Sequence, residues 1–461
     1  MKNPYKIDNF RGGLNFSADE EQIPRNATQR AENVDISDGS LKTANGYCKY
    51  IDTQIPGGGS IGSIMEFYKN GVTGIESSLV GASGTKVYYW DGDEWIEIGS
   101  SFTSDIFSSL VWQKETTELL ILTNGKESPQ KWAGPGDNLL DLDGSPPIMK
   151  SIALHRERLW GVGDPNHLSG AWYSNELNPE DWVEGEDDAG RIDILTWDGG
   201  ICIAIVNVFD DPVIYKTHNI WRIAGTYPSE YSQNQIFTTK GAIAPRSVVT
   251  AGPMAFHLCD DGIYTYDSNQ TSLLGGDVIR PWFVNNLNMQ YAQMASAAIH
   301  DSKLYMAFPT GISTVNNAVI EYDMINGNFM LRTGIEVAQF LKYDNKLLFV
   351  NRDGYVYEYD NGHSYDGSAI RALYETPWEF GKNRFSQKQI YRLKMRLNGK
   401  AKITFITDNN ERSYVFETTK EELIDKPVFA KGERFKVRFE NVNGSRFVIN
   451  EPQFGIDEWV I

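Results

Sequence analysis

Short runs of alternating or wholly apolar residues recur along the chain, at Lys86 to Trp90, Leu119 to Thr123, Ile263 to Tyr266, Leu304 to Phe308 and Tyr355 to Tyr359. Their shortness, their aromatic and β-branched content and their period of two predict strands. Toward the C-terminus the alternating runs change character, at Ile390 to Leu397, Ala401 to Thr407, Arg434 to Phe439 and Ser445 to Ile449. These predict a small antiparallel, sandwich-like domain. Helical periodicity is scarce; Pro24 to Ala31, with proline at a first helical position, predicts one short turn of helix.

Turn chemistry punctuates the runs. Asp-Gly pairs begin at Asp38, Asp91, Asp143, Asp198, Asp261, Asp353 and Asp366, and Asn-Gly pairs at Asn45, Asn70, Asn124, Asn326, Asn361, Asn398 and Asn443. These fourteen pairs are more than double the about six that composition gives, and they supply the positive φ angles of two-residue hairpins. An aromatic-Asp pair ends several strands, at Trp90-Asp91, Tyr266-Asp267, Tyr322-Asp323 and Tyr359-Asp360. The last two units also open alike, His300-Asp301-Ser302-Lys303-Leu304-Tyr305 against Tyr343-Asp344-Asn345-Lys346-Leu347-Leu348. Their spacing of about 40 residues is that of a propeller blade. The expectation is an all-β protein: an N-terminal arm over residues 1–50, a β-propeller over 51–365 and a C-terminal β domain over 366–461.

Composition narrows the function classes. With 461 residues, 41% hydrophobic and 12% aromatic, the chain has material for a large core. Its formal charge of −18 disfavours a surface that grips nucleic acid by neutralising phosphates. An acidic surface serves solubility, or repels a DNA polymer that slides past it. Cys48, Cys202 and Cys259 are odd in number and far apart, so neither a disulfide framework nor a zinc site is expected. The polar N-terminus and the lack of a long apolar run predict neither a secretory signal nor a membrane span, and hence synthesis in a cytoplasm.

The search for chemistry returns little. Gly58-Gly59-Ser60-Ile61-Gly62 matches a nucleophile elbow in letters, but follows Pro56 in a glycine run with no helix after it, so a loop is expected. Gly161-Val162-Gly163 lacks the third glycine of a dinucleotide fingerprint. His155, His167, His218, His257, His300 and His363 share no metal-ligand spacing. Glu184, Glu186, Asp187 and Asp188 lack the alternation of a calcium loop and predict a solvated acidic loop. Asp91-Gly92-Asp93-Glu94-Trp95 falls short of a sialidase box and does not recur. No catalytic, cofactor-binding or metal-ligating residue is assigned, no cofactor is expected, and the chain is expected not to be an enzyme.

Two stretches carry a resemblance. The first runs from Arg11-Gly12-Gly13-Leu14-Asn15 through Ile23-Pro24 and Ala31-Glu32-Asn33-Val34-Asp35-Ile36 to Asp38-Gly39-Ser40-Leu41 and Gly46-Tyr47. The second is Arg156-Glu157-Arg158-Leu159-Trp160-Gly161 with Trp172-Tyr173-Ser174-Asn175 and Asn178-Pro179-Glu180-Asp181-Trp182. The run from Gly241 to Asp267, with Pro245-Arg246-Ser247 before Asp261-Gly262-Ile263-Tyr264, is of the same kind. Together they resemble the tail hub, nozzle or packaged-DNA stabilisation proteins of short-tailed bacteriophages. The resemblance implies a structural virion protein of the tail, a homo-oligomeric ring similar to a hexameric hub, closed by heterologous contacts. It further implies portal, adaptor and tail-fibre or other tail-protein neighbours, and a DNA channel that the ring lines or closes, with genomic DNA passing transiently and without sequence-specific binding. The alternatives are a glycan-binding propeller using Trp172 or Trp182 as stacking platforms, and a polysaccharide-degrading tail enzyme.

Overall fold

The computed structural model describes residues 5–71, 74–114, 117–185, 188–236, 238–381 and 383–459. The apolar runs form seven four-stranded antiparallel sheets among the described residues, so the propeller has seven blades. Six are continuous in sequence: 63–100, 108–141, 151–193, 202–236, 249–273 and 296–333. The seventh takes three strands from 339–359 and its outermost from Tyr47–Ile51 at the other end of the chain. Each innermost strand packs on the next, and that of blade 7, Gln339–Tyr343, returns to that of blade 1, Ser63–Gly71.

The junctions between blades are pinned by the first residue of the inner strand. Ser63 Oγ accepts the Phe107 N–H at 2.7 Å, Ser108 Oγ that of Ile152 at 3.3 Å and Ser151 Oγ that of Ile205 at 3.1 Å. Ser296 Oγ accepts the Phe340 N–H at 3.1 Å, and Gln339 Oε1 closes the circle on Ile64 N–H at 3.0 Å. A buried backbone N–H at a sheet edge needs such a partner, and a short side chain supplies it without widening the junction.

The aromatic-Asp pairs fall at one structural position, the end of the third strand of blades 1, 5, 6 and 7. In the first three the Asp side chain accepts backbone N–H groups two and three residues on: Asp93 and Glu94 on Asp91, Asn269 and Gln270 on Asp267, Ile325 and Asn326 on Asp323. This is an Asx turn that starts the outer hairpin. Asp360 has no outer hairpin to start, because the fourth strand of blade 7 comes from the N-terminus.

The arm over 1–50 is not separate, and neither is the domain over 366–461. Tyr5–Lys6, Arg30–Glu32, Val34–Asp35 and Leu41–Thr43 join Leu373–Glu375 and four C-terminal strands in one nine-stranded antiparallel sheet. Pro24 to Ala31, expected as a helical turn, instead makes a turn and then strand Ala27–Thr28, paired in parallel with Gly13–Leu14. Sheet pairing overrides the weak local preference. The one α-helix among the described residues is Arg280–Asn286, with Pro281 in its first turn and Phe283 in the core.

Strand Gln387–Thr407 pairs with Phe447–Trp459 through Gly399 and with Phe435–Asn441 from Ala401 onward. Asn398-Gly399, expected as a hairpin turn, lies within this strand. Gly399 has φ +96°, and a Cβ there would lie 2.1 Å from the Arg446 carbonyl oxygen. Twelve extended residues would place the registers of Leu393 and Phe405 about 40 Å apart. Phe454, opposite Leu393, nevertheless has its ring centroid 5.8 Å from that of Phe405. The strand therefore bends, and the sheet folds over itself into the expected sandwich-like layer. Its outer edge is Glu411–Gly432, a 22-residue strand paired among the described residues only with Gln387–Thr407.

Propeller and sheet share one core. Phe10 packs edge-on against Tyr374 at 5.0 Å and Phe439 at 6.0 Å, and the same cluster runs on to Phe283, Phe308 and Phe329 of the propeller side. At the seam lies a buried ion pair, Arg332 Nε to Glu321 Oε1 at 2.7 Å, both on outer strands of blade 6. Tyr359 of blade 7 donates to the same carboxylate at 2.8 Å, and Arg332 Nη1 donates to the Asn45 carbonyl at 3.2 Å. Burial and the Glu321 charge act in opposite directions on Arg332, and its pKa is raised well above the ordinary value.

Removing one partner of a buried pair leaves the other charged and desolvated, at a cost of about 3–5 kcal/mol. Arg332→Met is accordingly expected to lower the urea midpoint by that equivalent and to expose residues 30–50 to protease. An unchanged midpoint would contradict the seam's role.

His257, on the second strand of blade 5, is wholly buried between the rings of Tyr215 and Tyr264, and neither ring nitrogen has a hydrogen-bond partner among the described residues. Desolvation lowers its pKa from 6.5 to about 3. A histidine whose folded pKa is depressed lets the unfolded chain bind the extra proton, so stability is lost as pH falls below about 6.5. At about 1.36 kcal/mol per pH unit, the loss from pH 7 to 4.5 is roughly 2.7 kcal/mol. His257→Phe should make the denaturation midpoint less sensitive to acid than wild type by that amount.

Candidate functional site: the two mouths of the propeller channel

The motifs weighed in the sequence do not converge. Ser60 sits exposed in the loop between Tyr47–Ile51 and Ser63–Gly71, with no helix after it. Gly161 and Gly163 lie within strand Arg158–Asp164; a Cβ on Gly161 would lie 2.0 Å from Met149 Sδ, so the glycine serves packing. His167 Nδ1 meets Asp164 at 2.8 Å, His300 Nε2 meets Asp301 at 3.4 Å, and His363 meets Arg446. Glu186 and Asp187 lie outside the described residues, and the Asp188 carbonyl accepts from Arg158 at 3.0 Å. Among the described residues no group of three His, Cys, Asp or Glu is arranged to hold a metal ion.

Cys202 and Cys259 are buried free thiols and Cys48 is half-buried. Burial pushes the Cys202 thiol up to about 11. Trp172 donates its Nε1–H to Asp164 at 3.1 Å and carries the Arg191 guanidinium 5.0 Å over its ring. Trp182 donates to the Pro179 carbonyl at 2.9 Å, and both tryptophans pack on the core between blades 2 and 3. They are engaged in packing.

What remains is the channel that the seven inner strands surround. At the mouth bearing the hairpins between first and second strands lies a cavity of about 410 Å³ lined by Leu154, His155, Arg156, Asn207, Phe209 and Asp210. His155 is desolvated there, and its pKa falls to about 4, so it is neutral at pH 7. Its hairpin, Arg156-Glu157, holds both residues at positive φ, +46° and +57°.

The opposite mouth bears the connections from each blade's outer strand to the next blade's inner strand. Here the 3-10 turn Pro245–Ser247, before blade 5, packs against the inner strands of blades 4 and 6. From it Arg246 reaches across to blade 1, donating from Nη1 to the Gly62 carbonyl at 2.8 Å and from Nη2 to Ser63 Oγ. Blades 5 and 1 are not neighbours, so this side chain crosses the channel. Desolvation lowers the Arg246 pKa to about 10, with the Asp105 charge opposing. Sequence reading had no means of finding this contact, since nothing local to Arg246 points to Gly62.

On the same side, Leu168 lies across from Leu195 when the pairing of Gly170 with Asp193 is extended. Leu195 is 80% and Trp197 98% exposed. Large apolar side chains this exposed and this close together mark an interaction surface better than scattered ones do.

No family model matches the chain, and no curated protein matches it. Solved structures similar to it include the computationally designed Ika8 protein (TM-score 0.41, 12% identity, 66% of this chain and 98% of that one). BBS1N in complex with ARL6DN gives a TM-score of 0.46, 12% identity and coverage of 68% and 97%. The Neurospora crassa Pan2 WD40 domain gives 0.42, 10% identity and coverage of 69% and 96%.

Proposed function

We propose that this chain is a non-catalytic structural subunit of a phage tail, forming a ring at the tail hub or nozzle below portal and adaptor. The observation that carries the reading is the seam. Residues in the stretch that resembles such proteins are those that weld the arm to propeller and sheet. Asn33, at φ +54°, receives the Tyr365 hydroxyl at 2.8 Å and the Thr333 N–H at 2.9 Å, and donates to the Arg371 carbonyl at 2.9 Å. Gly12 and Gly13 let the arm cross closely: a Cβ on Gly12 would lie 2.5 Å from the Asn26 carbonyl oxygen, and one on Gly13 2.8 Å from that of Phe329.

A rigid two-part body suits an assembly component, because a ring contact on one part then fixes the other. Leu195 and Trp197 supply an apolar contact outside the core, and repetition of one heterologous contact closes a ring when its rotation divides the circle. The excess of 61 acidic over 43 basic residues suits a channel through which DNA moves without adhering.

Mixing the purified chain with a portal–adaptor complex and imaging by electron microscopy should show closed rings on the adaptor. Leu195→Asp with Trp197→Asp should reduce ring occupancy at least tenfold without shifting the melting temperature of the free chain. A chain that stays monomeric with the adaptor present, and is missing from purified virions, overturns the proposal.

A further inference from the structure

The mouth crossed by Arg246 also gathers cations. Lys150 stands immediately before the inner strand of blade 3, and Lys126 lies in the turn between the second and third strands of blade 2. Both emerge on the Arg246 side of the ring. The Lys150 stem is held by two glycines: a Cβ on Gly125 would lie 3.1 Å, and one on Gly163 2.7 Å, from its Cβ. Both glycines have positive φ, +72° and +85°, so the backbone is shaped around this side chain.

The Lys150 side chain is open to solvent. Desolvation first, then the like charges of Lys126 and Arg246, hold its pKa below the ordinary lysine value. Neither lysine has a side-chain hydrogen bond or ion pair among the described residues. The Nε of Arg246 is buried and has no acceptor among the described residues.

The nearby carboxylates are committed elsewhere. Glu127 accepts from Thr103 N–H at 3.1 Å, and from the Thr103 hydroxyl and the Asn124 amide at 2.5 Å each. Asp105 accepts the Gly84 N–H at 3.1 Å and forms no ion pair with Arg246 among the described residues, although its charge acts on that guanidinium. Lys126, Lys150 and Arg246 thus face the Glu127 and Asp105 carboxylates, whose printed bonds come from neutral donors, in a chain whose net charge is −18. Convergent, unpaired cations with an idle buried donor are the complement of an oxyanion.

We propose that this mouth of the propeller channel is a binding site for a doubly charged tetrahedral oxyanion, a free phosphate or a phosphate monoester, held by Lys126, Lys150 and the Nε–H of Arg246. The site is independent of ring formation. Several oxygens are needed to meet donors from blades 2, 3 and 5 at once.

The test is calorimetric titration of the full chain at pH 7 with inorganic phosphate, with sodium chloride balancing ionic strength. Saturable one-to-one binding is expected, weakened at least tenfold in the Lys126→Gln, Lys150→Gln double variant. Glutamine keeps the stem that packs on Gly125 and Gly163, and an unchanged melting temperature shows that the variant is folded. Glycerol 3-phosphate binding as well as phosphate identifies a monoester site, and phosphate alone a site for the free ion. Equal binding by wild type and double variant, acetate matching phosphate, or no saturation by either phosphate overturns the proposal.

Discussion

The joint between arm, propeller and sheet depends on a buried charge pair. Arg332 and Glu321 face each other across adjacent strands of blade 6, and around them meet the arm, through Asn45, and blade 7, through Tyr359. A bare guanidinium in such surroundings would be prohibitively desolvated, so the carboxylate must be there, and the second carboxylate oxygen at 3.3 Å makes the pair bidentate. Next to it the Asp360 carboxyl is raised above the usual range by burial, against the pull of Arg332. Ionic groups of this kind contribute specificity of arrangement: the arm has one place where its carbonyl meets the guanidinium, and a displaced arm leaves a charge without its full set of partners.

That constraint explains which parts of the architecture were legible in the sequence. Strand positions followed from alternation, and the aromatic-Asp pairs marked one structural position because an Asx turn needs an Asp at a fixed place. The matched openings His300 to Tyr305 and Tyr343 to Leu348 are both tight hairpins from first to second strand, with Asp301-Ser302 and Asp344-Asn345 at positive φ. Arg156-Glu157 is a third such hairpin with neither glycine nor asparagine, and so it carried no turn signal. Asn398-Gly399 gave the opposite error. Its glycine is needed for a positive φ, but the demand comes from a bend against Arg446, a residue distant in sequence.

The pairing of the first 50 residues with the C-terminal sheet was hidden for a related reason. Polar, turn-rich sequence in the first 50 residues resembles a free arm when each short strand is read alone. Two- and three-residue strands such as Tyr5–Lys6 and Leu41–Thr43 join the large sheet through partners more than 400 residues away, at Phe454 and Ile449. The candidate site was hidden in the same way. Lys126, Lys150 and Arg246 belong to three blades, and their convergence follows from ring closure, which no local pattern encodes.

Closure by Tyr47–Ile51 has a consequence for biogenesis. The segment is synthesised before its partner, Val356–Tyr359, which emerges some 300 residues later. At about 5–20 residues per second the first strand waits roughly 15–60 s on the ribosome for its mate. Loop entropy adds little, since it grows only with the logarithm of length. The hazard lies in the interval, when a strand with free edges and aromatic side chains at Tyr47 and Tyr50 is available to any neighbouring nascent chain. Lys49 within that strand, an alternation of charge that discourages edge-to-edge pairing, is a safeguard for the unfinished polypeptide as much as a contact of the finished one.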